Sequence, residues 1–182
     1  MPQITDRREY NGFNRIIERH GLEELVAEAL GTLDFQLLVE EERHANGTRD
    51  LRERIDQGFA DLGGWTKVAS GGIDWTKSNE RGAKIGVEVQ VSARSDLVAV
   101  DVMHLQQSLA TGVIDVGIII VPDDTLSRFL TDRTPNLRTA VRYVEQWASD
   151  RPVSIVAFRH DGPGEALPKM VTNLGLPPRR RG

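Results

Sequence analysis

Apolar positions along the chain first fall into a helical rhythm. Leu22, Leu25, Val26, Ala29 and Leu30 stand at i, i+3, i+4, i+7 and i+8, which predicts an amphipathic helix that Gly31 can end. A short apolar stretch, Phe35 to Val39, leads into the acidic run Glu40, Glu41, Glu42. Leu51, Ile55, Phe59 and Leu62 form the stripe of a second helix, with Thr48 as its N-cap and Gly63-Gly64 as its stop. The rhythm then changes to that of strands. Trp65 to Val68 reads as a short strand, Ser70-Gly71-Gly72 as a turn, Ile73-Asp74-Trp75 as a strand and Thr76 to Lys84 as a polar hairpin loop. Ile85 to Val91 is the return strand, with Val87, Val89 and Val91 on one face and Glu88 and Gln90 on the other.

Asp96 to Ala110 predicts a helix, and Ile114 to Val121 a buried strand that stops at Pro122. Two more helices, Thr125 to Leu130 and Leu137 to Ala148, precede a last buried strand, Val153 to Phe158. This succession of helices and strands implies an α/β fold with a mixed central sheet flanked by helices. The 182 residues suit a single domain, residues 1–182, whose Gly-, Pro- and Arg-rich end, 161–182, reads as an irregular arm.

Composition narrows the chemistry. There is no Cys, which excludes a disulfide scaffold, a thiolate metal site and a Cys nucleophile. No apolar run approaches a membrane span and the first residues lack a signal-peptide core, so the expectation is a cytoplasmic protein with no membrane partner. A net charge of −4 argues against a simple non-specific nucleic-acid binder. It does not argue against a metal nuclease, which concentrates acid at its metal.

The candidate site is the pair of segments Ile73-Asp74-Trp75 and Gly86-Val87-Glu88-Val89-Gln90. Unpaired buried carboxylates cost several kcal/mol, so Asp74 and Glu88 should be paired, exposed or metal-bound. Carboxylates meeting across neighbouring strands suit Mg²⁺, which takes oxygen ligands and keeps waters for a phosphate. Taken alone, the pattern is a weak signal, and an amphipathic hairpin with a wet polar face describes it better.

The stretch from Ile73 to Pro122 resembles the BglII/BstYI-type restriction endonucleases, a branch of the PD-(D/E)xK nuclease superfamily. Gly-Val-Glu-Val-Gln at 86–90 is similar to the catalytic strand of that branch, which has Gln where most relatives have Lys. Thr-Gly-Val-Ile-Asp-Val-Gly-Ile-Ile-Ile-Val-Pro at 111–122 is similar to its next core strand. The resemblance implies a restriction-endonuclease-like fold, with Asp74 and Glu88 as Mg²⁺ ligands and Gln90 as the third catalytic residue. Gln90 can hydrogen-bond the attacking water or a phosphate oxygen but supplies no charge. It further implies a homodimer cutting palindromic double-stranded DNA, with a central GATC as the guess for the site. The loop between Asp74 and Glu88 reads as longer than the tight turn usual in the family.

Other residues carry less. Ser92, Arg94 and Ser95 leave the catalytic strand directly and are candidates for contacts to DNA, although Ser95 or Asp96 could instead cap the following helix. Glu53 falls opposite the apolar stripe of its helix and reads as solvated, and Asp56 lies nearer the stripe's edge, so no further acidic ligand is assigned. His20, His44, His104 and His160 are set aside as catalytic or metal residues, with His104 read as a packing or surface residue. Asp115 reads as structural and Arg179 to Arg181 as a solvated tail. Two alternatives stay open: a non-catalytic DNA-binding module on the same fold, and a repair or defence nuclease of relaxed specificity.

Overall fold

In the computed structural model, which describes residues 3–67, 72–91, 94 and 96–169, the chain opens with β1 (Gln3–Glu9), α1 (Phe13–His20) and α2 (Glu23–Gly31). The short β2 (Leu38–Val39), α3 (Arg49–Leu62), β3 (Thr66–Lys67), β4 (Trp75–Ser78) and β5 (Lys84–Val89) follow. The remaining elements are α4 (Leu97–Ala110), β6 (Val116–Pro122), α5 (Leu126–Phe129), α6 (Leu137–Trp147), β7 (Val153–Arg159) and β8 (Gly162–Pro163). Among the described residues, six strands form a mixed sheet in the order β1-β7-β6-β5-β4-β3. β5, β6 and β7 run parallel, and β1, β4 and β3 extend the sheet antiparallel at its two edges.

Parallel neighbours need a long crossover, and α4 and α6 supply the two required here. Both pack on one face, where Val98, Val102 and Leu105 of α4 and Ala140 and Val144 of α6 meet Ile119, Val121 and Ile155. The opposite face carries α1, α2 and α3, whose Phe13, Leu25, Leu51, Ile55 and Phe59 close over Ile85, Val87, Ile118 and Val156. Covered on both faces, β6 is buried along its whole length, which is why its sequence is an unbroken apolar run rather than an alternation. In β5 the alternation divides the strand. Val87 and Val89 enter the α1–α3 core, so Glu88 and Gln90 are directed to the α4 side.

Sequence and structure differ in four places. β1 and α1 are not predicted by the pattern. β1 is an edge strand held to β7 by its backbone ladder with most side chains exposed, and α1 buries only Phe13 and Ile17, so neither needs a strong apolar rhythm. The hairpin is also tighter than expected. Thr76 to Ser78 belong to β4, leaving a turn over 79–83 in which Asn79 Oδ1 accepts from the Arg81 and Ala83 amides, both at 3.0 Å. Lys77 can lie in the strand because its ammonium reaches Glu28, 2.6 Å away. Thr48 occupies the N-cap position of α3 but makes no side-chain cap, and neither does Asp96 on α4, whose carboxylate pairs with Arg94 at 2.7 Å.

The fourth difference is the arm. Its first part is not irregular: β8 pairs with β2, Asp161 Oδ2 accepts from the Leu37 amide at 2.7 Å, and the Leu167 amide donates to Asn46 Oδ1 at 3.0 Å. Arg179 to Arg181 lie outside the described residues. Gly47 permits this seam, because a Cβ there would stand 1.9 Å from the Pro168 carbonyl oxygen and 2.9 Å from Lys169 Cα. Gly47→Ala should therefore push the arm off, at a cost of about 1–3 kcal/mol for overpacking. Tryptic cleavage after Lys169 should speed up roughly tenfold. An unchanged cleavage rate would show that the seam tolerates the methyl group.

Candidate active site

Strand register builds the site. Trp75 pairs with Val87, so one step further along the antiparallel ladder Asp74 faces Glu88. The backbone locks this meeting from both sides. The Asp74 amide donates to Glu88 Oε2 at 3.3 Å, and the Val89 amide donates to Asp74 Oδ2 at 2.9 Å. Gln90 lies just beyond β5 and donates from Nε2 to Asp101 Oδ2 of α4 at 2.6 Å. The three residues expected to form the site are thus gathered at the carboxyl end of β5. Arg94 is exposed and pairs with Asp96, and Ser92 and Ser95 lie outside the described residues.

Three further residues enter that the sequence reading does not place there. Arg52 comes up from α3: its Nη2 donates to Asp74 Oδ1 at 2.7 Å, its Nη1 donates to the Val89 carbonyl at 2.6 Å, and its Nε lies 3.1 Å from Asp56 Oδ2. Burial alone would lower the guanidinium's pKa, but the pairing with Asp74 and then Asp56 outweighs it and the net shift is upward. The helix before the hairpin therefore presents a cation rather than a further acid. Glu53 is exposed and pairs with Arg49, while Asp56 is taken up by Lys67, Trp75 and Arg52. Asp101 is the second newcomer. His104, read from sequence as a packing or surface residue, is the third, with Nδ1 3.6 Å from Glu88 Oε1. Both sit on α4 at i and i+3, a spacing that marks one helix face and was the available signal. Asp115 is structural as expected, its Oδ2 accepting from the Lys84 amide at 2.7 Å where β5 begins. His20, His44 and His160 play no part, and His44 is committed to the Leu130 carbonyl.

The electrostatics call for a cation. Glu88 is 2% exposed, and its Oε1 is shut off from solvent without a hydrogen-bond partner, His104 being too far to serve. Burial first, then repulsion from Asp74 and Asp101, pushes the Glu88 carboxyl up to about 10. Burial also pushes Asp101 up, to about 7; the Gln90 amide resists this and Asp74 adds to it. Of the three carboxyl groups only Asp74 is paired with the Arg52 guanidinium, Asp101 is held by the Gln90 amide, and Glu88 Oε1 is left unserved. Hard carboxylate oxygens with an unsatisfied acceptor fit a divalent ion.

The comparisons agree with this architecture. The family model described as restriction endonuclease BamHI matches residues 17–172. The crystal structure of restriction endonuclease BglII complexed with a DNA 16-mer matches with a TM-score of 0.63 at 14% identity, over 86% of this chain and 78% of that one. Free BglII matches with a TM-score of 0.55 at 17% identity, over 86% and 79%. At such identities the structures speak for the fold alone, while no curated protein sequence matches. The family model spans most of the chain, and every strand of the sheet except β1, with the Asp74–Glu88 hairpin, falls inside it: the chain belongs to the BamHI restriction endonuclease family.

Proposed function

We propose that this site-specific DNA endonuclease works as a Mg²⁺-dependent homodimer of single-domain subunits, with Asp74, Glu88 and Gln90 as the catalytic set. The observation that carries the reading is Asp74 locked opposite Glu88 at the end of β5, with Glu88 Oε1 buried and unserved. Asp74 and Glu88 would hold the ion, and Gln90, next along the same face, would hold the water or a phosphate oxygen by hydrogen bonds. When bound, Mg²⁺ polarises the phosphoryl oxygen, acidifies a water and offsets charge on the leaving oxygen. Arg94, with Ser92 and Ser95, would contact DNA as the chain leaves the strand. Support for the dimer comes from α4 and α6, whose Val100, Met103 and Trp147 stay 41%, 51% and 42% exposed around one shallow hollow. A two-fold dimer matches a palindromic site, one active centre per strand, and a central GATC is the sequence we would test first.

One observation favours a second reading, a non-catalytic DNA-binding module: Arg52 already engages Asp74 Oδ1 and the Val89 carbonyl, and so supplies a cation of its own. A digest separates the two. Purified protein, plasmid DNA and Mg²⁺ should give discrete fragments whose sequenced ends report site and stagger, and Asp74→Ala should give none. Random nicks would point to relaxed specificity. DNA retention without cleavage, indifferent to Mg²⁺, would establish the module.

Among the described residues no helix is long and apolar enough to cross a membrane.

A further inference from the structure

Asp101 and His104 of α4 have no part in the Asp74–Glu88 reading, yet they close on Glu88 from the other side. One ligand atom from each of Glu88, Asp101 and His104 lies within 4.8 Å of the other two. The cluster is more than a set of acids. It includes an imidazole, it is drawn from two elements, and Glu88 Oε1, closed to solvent and without a hydrogen bond, lies 3.6 Å from the imidazole Nδ1. The face of α4 that carries these two residues is otherwise packed by Val98, Val102 and Leu105, so the helix is held firmly in place.

We propose that Glu88, Asp101 and His104 form a second cation site, selective for a first-row transition ion such as Mn²⁺ or Co²⁺ over Mg²⁺, with Glu88 shared between it and the Asp74 side. Imidazole is a good ligand for transition ions, whereas Mg²⁺ prefers oxygen alone. Three protein donors leave room for water, the arrangement of an open rather than a closed site. Gln90, donating to Asp101 Oδ2, fixes that carboxylate as an outer partner fixes a ligand. The site shares Glu88, and Gln90 as an outer partner, with the nuclease reading, while Asp101 and His104 belong to it alone.

The test uses the metal-free chain without DNA. Mn²⁺ is titrated by electron paramagnetic resonance, and the bound ion is then examined for spin-echo modulation by histidine nitrogen. Wild type should show nitrogen modulation that changes when histidine is ¹⁵N-labelled. His104→Gln should lose it, and Asp101→Asn should weaken Mn²⁺ binding about a hundredfold, since outer partners alone are worth 10–100-fold. Mg²⁺ should displace the bound Mn²⁺ poorly. No modulation in wild type, or modulation that survives in a folded His104→Gln, would overturn the site. A chain that shows the modulation but never cuts DNA keeps this site and loses the nuclease reading. One that cuts with Mg²⁺ and shows no modulation does the reverse.

Discussion

Replacing Glu88 with Gln should lower DNA cleavage by about a thousandfold or more and at the same time make the metal-free protein more stable. A catalytic ion supplies several kcal/mol, and each 1.36 kcal/mol is worth tenfold in rate, so loss of a ligand on this scale removes about three decades. The gain in stability follows from burial. In the unfolded chain Glu88 titrates at 4.5, and in the fold at about 10. Between those values the folded state binds a proton that the unfolded state does not. Stability is therefore greatest below 4.5 and falls as pH rises through the folded value. The Glu88→Gln variant has no proton to lose at this position, so its thermal melting in EDTA should be flatter from pH 5 to pH 9. At pH 8 the variant should melt roughly 5 °C higher, for a gain on the order of 2 kcal/mol. Mg²⁺ should raise the melting temperature of wild type and leave the variant unmoved. Cleavage within tenfold of wild type would remove Glu88 from the catalytic set.

The same carboxylate shows which parts of the molecule can be read from sequence. Glu88 and Gln90 are visible because β5 alternates, and β6 and β7 because strands covered on both faces must be apolar throughout. The stripes of α2 and α3 are visible for the same reason: each has one side against the core. β1 is hidden because an edge strand lives on backbone hydrogen bonds, which its side chains do not record. Arg52, Asp101 and His104 are hidden for a different reason. Each reaches the site from a helix rather than from the hairpin itself, and a charged residue on a helix looks solvated until something packs over it. Faint traces existed. Arg52 and Asp56 stand at i and i+4 beside an apolar stripe, and Asp101 and His104 share a face of a helix that is otherwise largely apolar. Spacing names the face but not its partner, and here the partner is set by the crossover that lays α4 across β5. The hairpin shows the opposite error. Its polar residues suggested a loop, whereas Glu28 and Asn79 let Lys77 and its neighbours continue the strand.

The largest stability effect should come from Phe59→Ala, a residue that never touches the catalytic groups. Phe59 is fully buried, stacked on Trp75 at 5.1 Å and edge-on to Trp65 at 4.9 Å. Emptying a core Phe costs about 3–5 kcal/mol, to which each lost aromatic pair adds roughly 0.5–1.5. For a chain of this size the melting temperature should fall by on the order of 10 °C. The effect should also reach the active site by a short path. Trp75 adjoins Asp74 in the chain and donates from its indole to Asp56 Oδ1 at 2.9 Å, Asp56 pairs with Arg52, and Arg52 pairs with Asp74. A Trp75 without its stacking partner gains room, and its chain neighbour Asp74 should shift with it. Cleavage by the folded fraction at low temperature should therefore drop as well, because small misplacements of a catalytic group are costly. Phe59→Leu, which refills most of the volume, should recover most of the stability and most of the rate. If Phe59→Ala melts within 2 °C of wild type, the aromatic block is not the support of this hairpin. If stability falls but the folded fraction cuts at the full rate, Asp74 is held by Arg52 and the Val89 amide without help from the core.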